Sequence, residues 1–221
     1  MDYYISYGAG VNSTAMTLLL LSKGLKYPIV FADTGGEWPE TYGFLATFKE
    51  FLVDNFDVHI EVVRKLPTLY EYLYSLRLTP SLKNRWCTDR WKIRPIQERY
   101  PNCISIIGWS KEEEWRIRRA KWARRKFWAP LYEEGITRER CIKIIKWFGL
   151  PVPIKSACWF CAFQSKRRWQ ILKQRHPELF KKALELEKRN KQVRGAQWGY
   201  KINEDLDDLV GNQLVLGFLQ P

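Results

Sequence analysis

The most constraining feature of this chain is the succession of elements in residues 3–33. "YYIS" reads as a strand, "YGAGVNS" as a glycine turn, "TAMTLLLLSKG" as an apolar helix and "YPIVFAD" as a second strand. The pattern then repeats. The turn "TGGEWP" leads into the helix "ETYGFLATFKEFLVDN", and "DVHIEVVR" is a third strand by its β-branched content. "TLYEYLYSLR" and "TDRWKIRPIQERY" read as helices, and "NCISIIGW" as a fourth strand. Strands alternating with helices predict an α/β fold, a parallel sheet with helices on both faces. Sheets of this kind bind ligands beyond the carboxyl ends of their strands. The first two strands end in "YGAGVNS" and "ADTGGEW", so both loops are expected on that edge.

The character changes after residue 108. "KEEEWRIRRAKWARRKFW" holds eight Lys or Arg and three Trp. Beyond it come a short helix, "TRERCIKIIKWFG", with Thr137 as N-cap, and the loop "LPVPIKSACWFC". Helices resume in "QSKRRWQILKQR" and "PELFKKALELEKRN", and an acidic then apolar tail is expected to dock on them. We therefore divide the chain into an α/β core over 1–110 and a basic helical region over 111–221, packed together as one unit. A length of 221 residues suits this. The opening "MDYYISYGAG" has neither the basic nor the apolar region of a signal peptide. The longest apolar run falls short of the roughly 18 residues of a membrane span. A cytoplasmic chain without a membrane partner is the expectation. With 37 basic and 24 acidic residues the net charge is +13, which points to an anionic partner such as a nucleotide or nucleic acid, or else to a basic enzyme without a polymer partner.

Three sets of residues carry chemistry. In "SYGAGVNST", Gly8 and Gly10 permit positive φ and close approach of a ligand to the backbone. The helix that follows offers free N–H groups and a positive dipole end to a phosphate, and Ser13 and Thr14 add hydroxyls. The same residues also suit a plain tight turn capped by Asn12 or Ser13. The second set is cysteine. C-x-x-C at Cys158 and Cys161 fits half of a zinc site, half of an iron–sulfur site or a redox pair. Cys103 and Cys141 read as packing residues, His59 as structural, and His176 as a weak candidate ligand. The third set is basic: Lys166, Arg167 and Arg168 follow the cysteine loop and either grip phosphates or are simply solvated. Ser110 and Glu113 form a capping box for the basic helix. On that helix Trp115 and Trp122 share a face and are expected in the core rather than as base-stacking platforms.

Five segments, in one order, resemble a known family. Gly8 to Ser13 is similar to the PP-loop of the ATP pyrophosphatase superfamily, SGGxDS, with Gly8 and Asn12 departing from the pattern. "DTGGEWPETY" resembles the DTGxxxPET stretch of the phosphoadenosine phosphosulfate (PAPS) reductase family. "CTDRWKIRPI" and "IGWSKEEEWR" resemble its cysteine-plus-basic and IGxxxxExxR segments. "PLYEEGITRERC" with "SACWFCAF" completes the order of its uncharacterised, often phage-borne branch. The resemblance implies an adenine nucleotide alpha hydrolase-like fold that binds ATP with Mg²⁺ through Ser6, Gly8, Gly10, Asn12, Ser13, Thr14, Asp33, Thr34 and Gly35. Asp33 would act through Mg²⁺ or a ribose contact, or else cap its turn. Cys87 becomes the third metal ligand beside Cys158 and Cys161, with zinc or a 4Fe–4S cluster bearing one open iron. Lys92, Glu113, Arg116, Arg167 and Arg168 become substrate or catalytic residues.

The activity so implied is adenylation of a substrate with release of pyrophosphate, for iron–sulfur-dependent sulfur transfer to a nucleic-acid base. Its partners would be a nucleotide, tRNA or another nucleic acid, and a sulfur-donor protein. Reduction of a sulfonucleotide is the alternative. It needs a nucleophilic cysteine in a C-terminal segment, and no cysteine follows Cys161. A zinc-stabilised nucleic-acid-binding module is the third possibility, which would leave the glycine loop and "DTGG" idle.

Overall fold

The computed structural model describes residues 2–80, 85–123, 126–195, 200 and 205–211. Five parallel strands form one sheet in the order β3-β2-β1-β4-β5. They are β1 (Tyr3–Tyr7), β2 (Ile29–Asp33), β3 (Ile60–Arg64), β4 (Ile104–Ile106) and β5 (Phe127–Trp128). A single register row, Ile60–Ile29–Ile5–Ile106–Trp128, crosses all of them. Successive side chains point to opposite faces. Ile5, Tyr7, Ile29 and Phe31 therefore pack with α1 (Val11–Ser22), α2 (Pro39–Phe56) and α8 (Arg138–Trp147) in the main core. Tyr4, Val30 and Ala32 meet Ile96 of α5 (Arg94–Arg99) on the other face. Covered on both faces, β2 is buried at all five positions.

Three local expectations are revised. The first helix begins at Val11, earlier than the apolar run suggests, because Gly10 takes the extended N-cap conformation itself. The basic stretch after residue 110 is not all helix: α6 (Glu114–Trp122) ends, and Phe127 and Trp128 add a fifth strand to β4. Two residues among Lys and Arg carry no alternation, so only pairing with β4 reveals this strand. Third, β5, α7 (Pro130–Glu133) and α8 belong with the α/β layers, for Leu131, Cys141 and Ile145 pack in the main core.

A second, aromatic-rich core lies beside the sheet. Trp38, Trp91, Phe160, Trp169 and Tyr200 are its largest fully buried members, drawn from both halves of the chain. Its helices include α3 (Leu69–Ser75), α9 (Lys166–Arg175), α10 (Pro177–Arg194) and α11 (Leu206–Val210). Between α3 and α5, the short helix α4 (Trp86–Thr88) and a π-helical turn (Asp89–Ile93) carry Cys87 and Lys92. The tail beyond 211 and the pair Arg124-Arg125 lie outside the described residues. No helix among the described residues is long and apolar enough to cross a membrane.

Candidate functional site

The chain leaves β1 towards β2 on one side and returns as β4 on the other. A crevice at the carboxyl ends of β1 and β4 follows from that topology. The glycine loop occupies it. Ala9 takes a left-handed φ of 50° between the two glycines, which turns the chain sharply into α1. Ser13 Oγ accepts from the N–H of Gly8 and of Gly10, each at 3.3 Å, and so ties both glycines to the first turn of α1. The first turn of α1 has no acidic residue to compete with an anion. Gly108, just past β4, closes the crevice from the other side. A Cβ there would stand 2.8 Å from Ser13 N and 2.9 Å from the Asn12 carbonyl. Only glycine lets β4 lie this close to the loop.

Asn12 is held from two directions. Its Nδ2 donates to Glu113 Oε2 at 2.9 Å, and its Oδ1 accepts from Arg138 Nη1 at 3.2 Å. Glu113 also accepts from Ser110 N–H and pairs with Arg116 at 3.2 Å, so the two cap and orient the loop together. Ser6 sits half-buried in β1. The Thr14 hydroxyl is buried against Tyr7 at 3.2 Å and lies inside the core side of the loop.

In the second loop, Asp33 is fully engaged. Its carboxylate accepts from Gly35 N–H at 2.8 Å, from Tyr42 at 2.6 Å and from both Nε and Nη2 of Arg64. Burial alone would raise this carboxyl, but those donors outweigh it and hold it below the usual carboxylate range. Asp33 thus anchors the turn, and Gly35 supplies the positive φ of 73° that the turn needs. Thr34 faces the cysteines, with its hydroxyl 3.3 Å from Cys158 Sγ.

The cysteine loop lies across both loops. Ser156 Oγ is 2.9 Å from where a Gly10 Cβ would be. Trp159 N–H donates to Gly36 O at 2.8 Å, and Glu37 and Cys158 form a β-bridge. Gly36 is required here, because its Cβ would lie 2.4 Å from the buried Phe160 ring. Glu37, almost wholly buried, receives Lys92 Nζ at 2.7 Å and stands 4.0 Å from Cys158 Sγ. Lys92 keeps 36% of its side chain exposed, so the pair is partly screened. Burial would lower the Lys92 ammonium, but Glu37, then Cys158, keep it raised and charged.

Cys87 and Cys158 pack against the second core, and Cys87 neighbours Cys161. None of the three is in a disulfide. Burial, then Glu37, push the Cys158 thiol far up against the opposing pull of Lys92. Burial raises Cys161 too; the Phe163 backbone hydrogen bond lowers it, and neighbouring Cys87 raises it further. Among the described residues no three His, Cys, Asp or Glu side chains stand close enough to hold one metal ion. Several buried polar atoms in this region lack a partner: Glu37 Oε2, Arg168 Nε and Nη2, and Tyr200 OH. Arg168 packs over Trp38 at 4.8 Å and donates through Nη1 to Lys155 O at 2.7 Å. Its guanidinium interacts electrostatically first with Cys161, then with Glu40 and Glu37. Tyr200 also interacts with Cys161. Buried donors are normally satisfied. The three thiols are soft ligands of the kind that iron–sulfur and other thiophilic centres take, although the described side chains do not converge on one ion. Such a centre would deprotonate the thiols outright.

The remaining candidates lie apart. Cys141 is buried in α8, its thiol pushed up to about 12 mainly by burial, and Cys103 is half-buried before β4. His176 bonds Glu40 at 3.0 Å, and His59 is exposed just before β3. Arg167 is exposed on the first turn of α9. Trp115 and Trp122, expected in the core, are exposed; α6 buries Ile117 and Ala120 instead. Sequence reasoning passed over Glu37, Gly36, Gly108, Ser156 and Arg138. The first three stand inside motifs already singled out, so their spacing was available as a signal. Ser156 opens "SACWFCAF" and Arg138 lies in "PLYEEGITRERC", but neither residue type marks a role by itself.

A family model described as the phosphoadenosine phosphosulfate reductase domain matches residues 2–170. An uncharacterized protein of Methanocaldococcus jannaschii is 24% identical over 205 residues, covering 83% of this chain and 47% of that protein. The chain thus spans about half the length of the curated relative it matches. Among solved structures, the phosphate complex of PAPS reductase from Candida auris matches with TM-score 0.52 at 15% identity, over 72% of this chain and 82% of that one. The U34-tRNA thiolase NcsA from Methanococcus maripaludis, with its 4Fe-4S cluster, matches with TM-score 0.52 at 16% identity, over 100% of this chain and 84% of that one. At this identity the likeness is one of fold.

Proposed function

This chain belongs to the phosphoadenosine phosphosulfate reductase domain family, and from that premise we propose that it binds ATP with Mg²⁺ and adenylates a substrate for sulfur transfer to a nucleic-acid base. One observation carries the reading. The segment bearing Cys158 and Cys161 rests on the glycine loop through Ser156 and on the "DTGG" turn through Thr34 and Glu37. A nucleotide on the glycine loop therefore lies beside the thiols.

The loop N–H groups and the α1 terminus take the β,γ-phosphates, with Gly108 leaving room for the close approach. A substrate oxygen attacks the α-phosphorus, the bond to the bridging oxygen breaks and pyrophosphate leaves. Sulfide delivered by a sulfur-donor protein then displaces AMP. Lys92 and Arg168 supply positive charge near the thiols, and Arg116 and Arg167 lie further out for substrate phosphates. Catalysis of this kind consists of positioning and charge stabilisation. Cys87, Cys158 and Cys161 would hold an iron–sulfur cluster, whose open iron supplies a binding position for sulfur. Zinc on the same thiols is the alternative. In this reading residues 1–110 contribute the nucleotide loops, 111–221 the cysteine loop and outer cations, and the location is cytoplasmic.

The test is anaerobic purification with counts of iron, sulfide and zinc, followed by an assay of pyrophosphate release from ATP with tRNA or other nucleic acid present. Iron with sulfide and pyrophosphate release support the reading. Sulfite release from PAPS, without pyrophosphate from ATP, replaces it with sulfonucleotide reduction, the reaction that the family name favours.

A further inference from the structure

Helix α6 starts where Glu113 grips Asn12 of the glycine loop and runs outward from it. Its surface is unusual. Trp115 is 56% and Trp122 87% exposed, although a tryptophan in a soluble domain is normally well covered. They are seven residues apart, hence on one face and about 10.5 Å apart along the axis. Arg119 lies on the same face between them and makes no ion pair among the described residues. Arg116 sits over the Trp115 ring at 5.2 Å. The acids at the helix start are committed: Glu112 accepts from Arg138 N–H, Glu113 from Asn12 and Glu114 from Arg118. What remains outward is an aromatic and cationic stripe.

We propose that this face of α6, Trp115–Arg119–Trp122, is a landing stripe for a single-stranded nucleic acid, with the two indoles stacking on bases and Arg119 contacting phosphates beside the Arg116–Trp115 pair. The proposal rests on the adenylation reading only for what happens at the glycine loop; the stripe itself stands on exposure and charge. Aromatic platforms interleaved with cations suit single strands, because every base has a π-face. The spacing of the indoles is about three base-stacking steps of ~3.4 Å. A duplex hides its base faces and gains nothing from the indoles. An acidic protein partner would use the cations but has no need of two isolated indoles.

The experiment is a fluorescence titration of the full chain with labelled 20-mers: oligothymidine, oligouridine and a mixed-sequence duplex, at several salt concentrations. The wild type should bind the single strands more tightly than the duplex, with affinity falling steeply with salt. Trp115→Ala with Trp122→Ala should weaken single-strand binding by about 30-fold or more at an unchanged salt slope. Arg119→Gln should lower the salt slope by about 0.7. Trp147→Ala, which removes an exposed tryptophan of α8 (79% exposed), should change nothing. The proposal is overturned if the wild type binds no single strand at low salt, if the double variant binds as the wild type does, or if Trp147→Ala weakens binding as much. Loss of self-association in the double variant without loss of oligonucleotide binding would assign the stripe to a second copy and overturn it too. ATP binding by calorimetry is read in every variant. If single strands bind through α6 but ATP does not bind, the adenylation reading fails and the stripe stands.

Discussion

The glycine-loop side of the site and the cysteine side obey different rules. Around the glycine loop, polar groups find partners within the protein: Ser13 serves Gly8 and Gly10, Asn12 joins Glu113 to Arg138, and Asp33 takes four donors. Around the cysteines, buried polar atoms of Glu37, Arg168 and Tyr200 are left over, and burial raises the Cys158 and Cys161 thiols. One half of the site is internally satisfied. The other half keeps buried polar atoms without a partner.

The sharpest way to break this comparison is through the cysteines. Changing Cys87, Cys158 or Cys161 singly to Ser should abolish bound iron and visible absorption, while Cys103→Ser leaves both intact. Cys141→Ser should cost about 1–3 kcal/mol, because a hydroxyl replaces a buried thiol in the main core, yet keep the iron. Elemental counts on each variant decide it, and iron loss in Cys103→Ser would mean that the cysteine side is misdrawn.

Next in size is the cradle. Gly108→Ala drives a methyl against the Ser13 and Asn12 backbone. Overpacking of this kind costs about 1–3 kcal/mol, and a shift of the loop should weaken ATP binding by up to about 100-fold. Thermal unfolding and calorimetry separate the two effects. Gly10→Val strikes Ser156 instead, so it should disturb iron content as well as ATP binding, linking the two halves.

A smaller effect separates the halves further. Arg168→Met removes two buried donors that have no partner but also the Nη1 bond to Lys155 O, so in metal-free protein the opposing effects should leave stability within about 2 kcal/mol of wild type. In iron-loaded protein the same change should speed loss of iron. A metal-free variant destabilised by more than about 2 kcal/mol would show that Arg168 is already satisfied in the fold.

The smallest effect is acid stability. The Asp33 carboxyl is depressed in the folded state, so its contribution is present above the unfolded value of about 3.9 and is lost as pH falls through the folded value. Asp33→Asn should flatten the fall in urea midpoint below about pH 4. An unchanged acid limb would remove Asp33 from the anchor role.

The sequence by itself determined the parallel α/β class and the placing of both loops on one sheet edge. These follow from strand–turn–helix periodicity, glycine positions and residue chemistry, all local along the chain. Tertiary structure decided the rest. Phe127 and Trp128 are a strand only because β4 has an open edge. Glu37 matters only because Lys92 and Cys158, far along the chain, close around it. Ser156 meets Gly10 only once the second core has docked the cysteine loop. Trp115 and Trp122 share a helix face in any reading, but which face turns outward depended on Ile117 and Ala120 finding the interior. Periodicity settles which residues go together on one side of an element. What lies against that side is a contact between distant segments, and no local pattern encodes it.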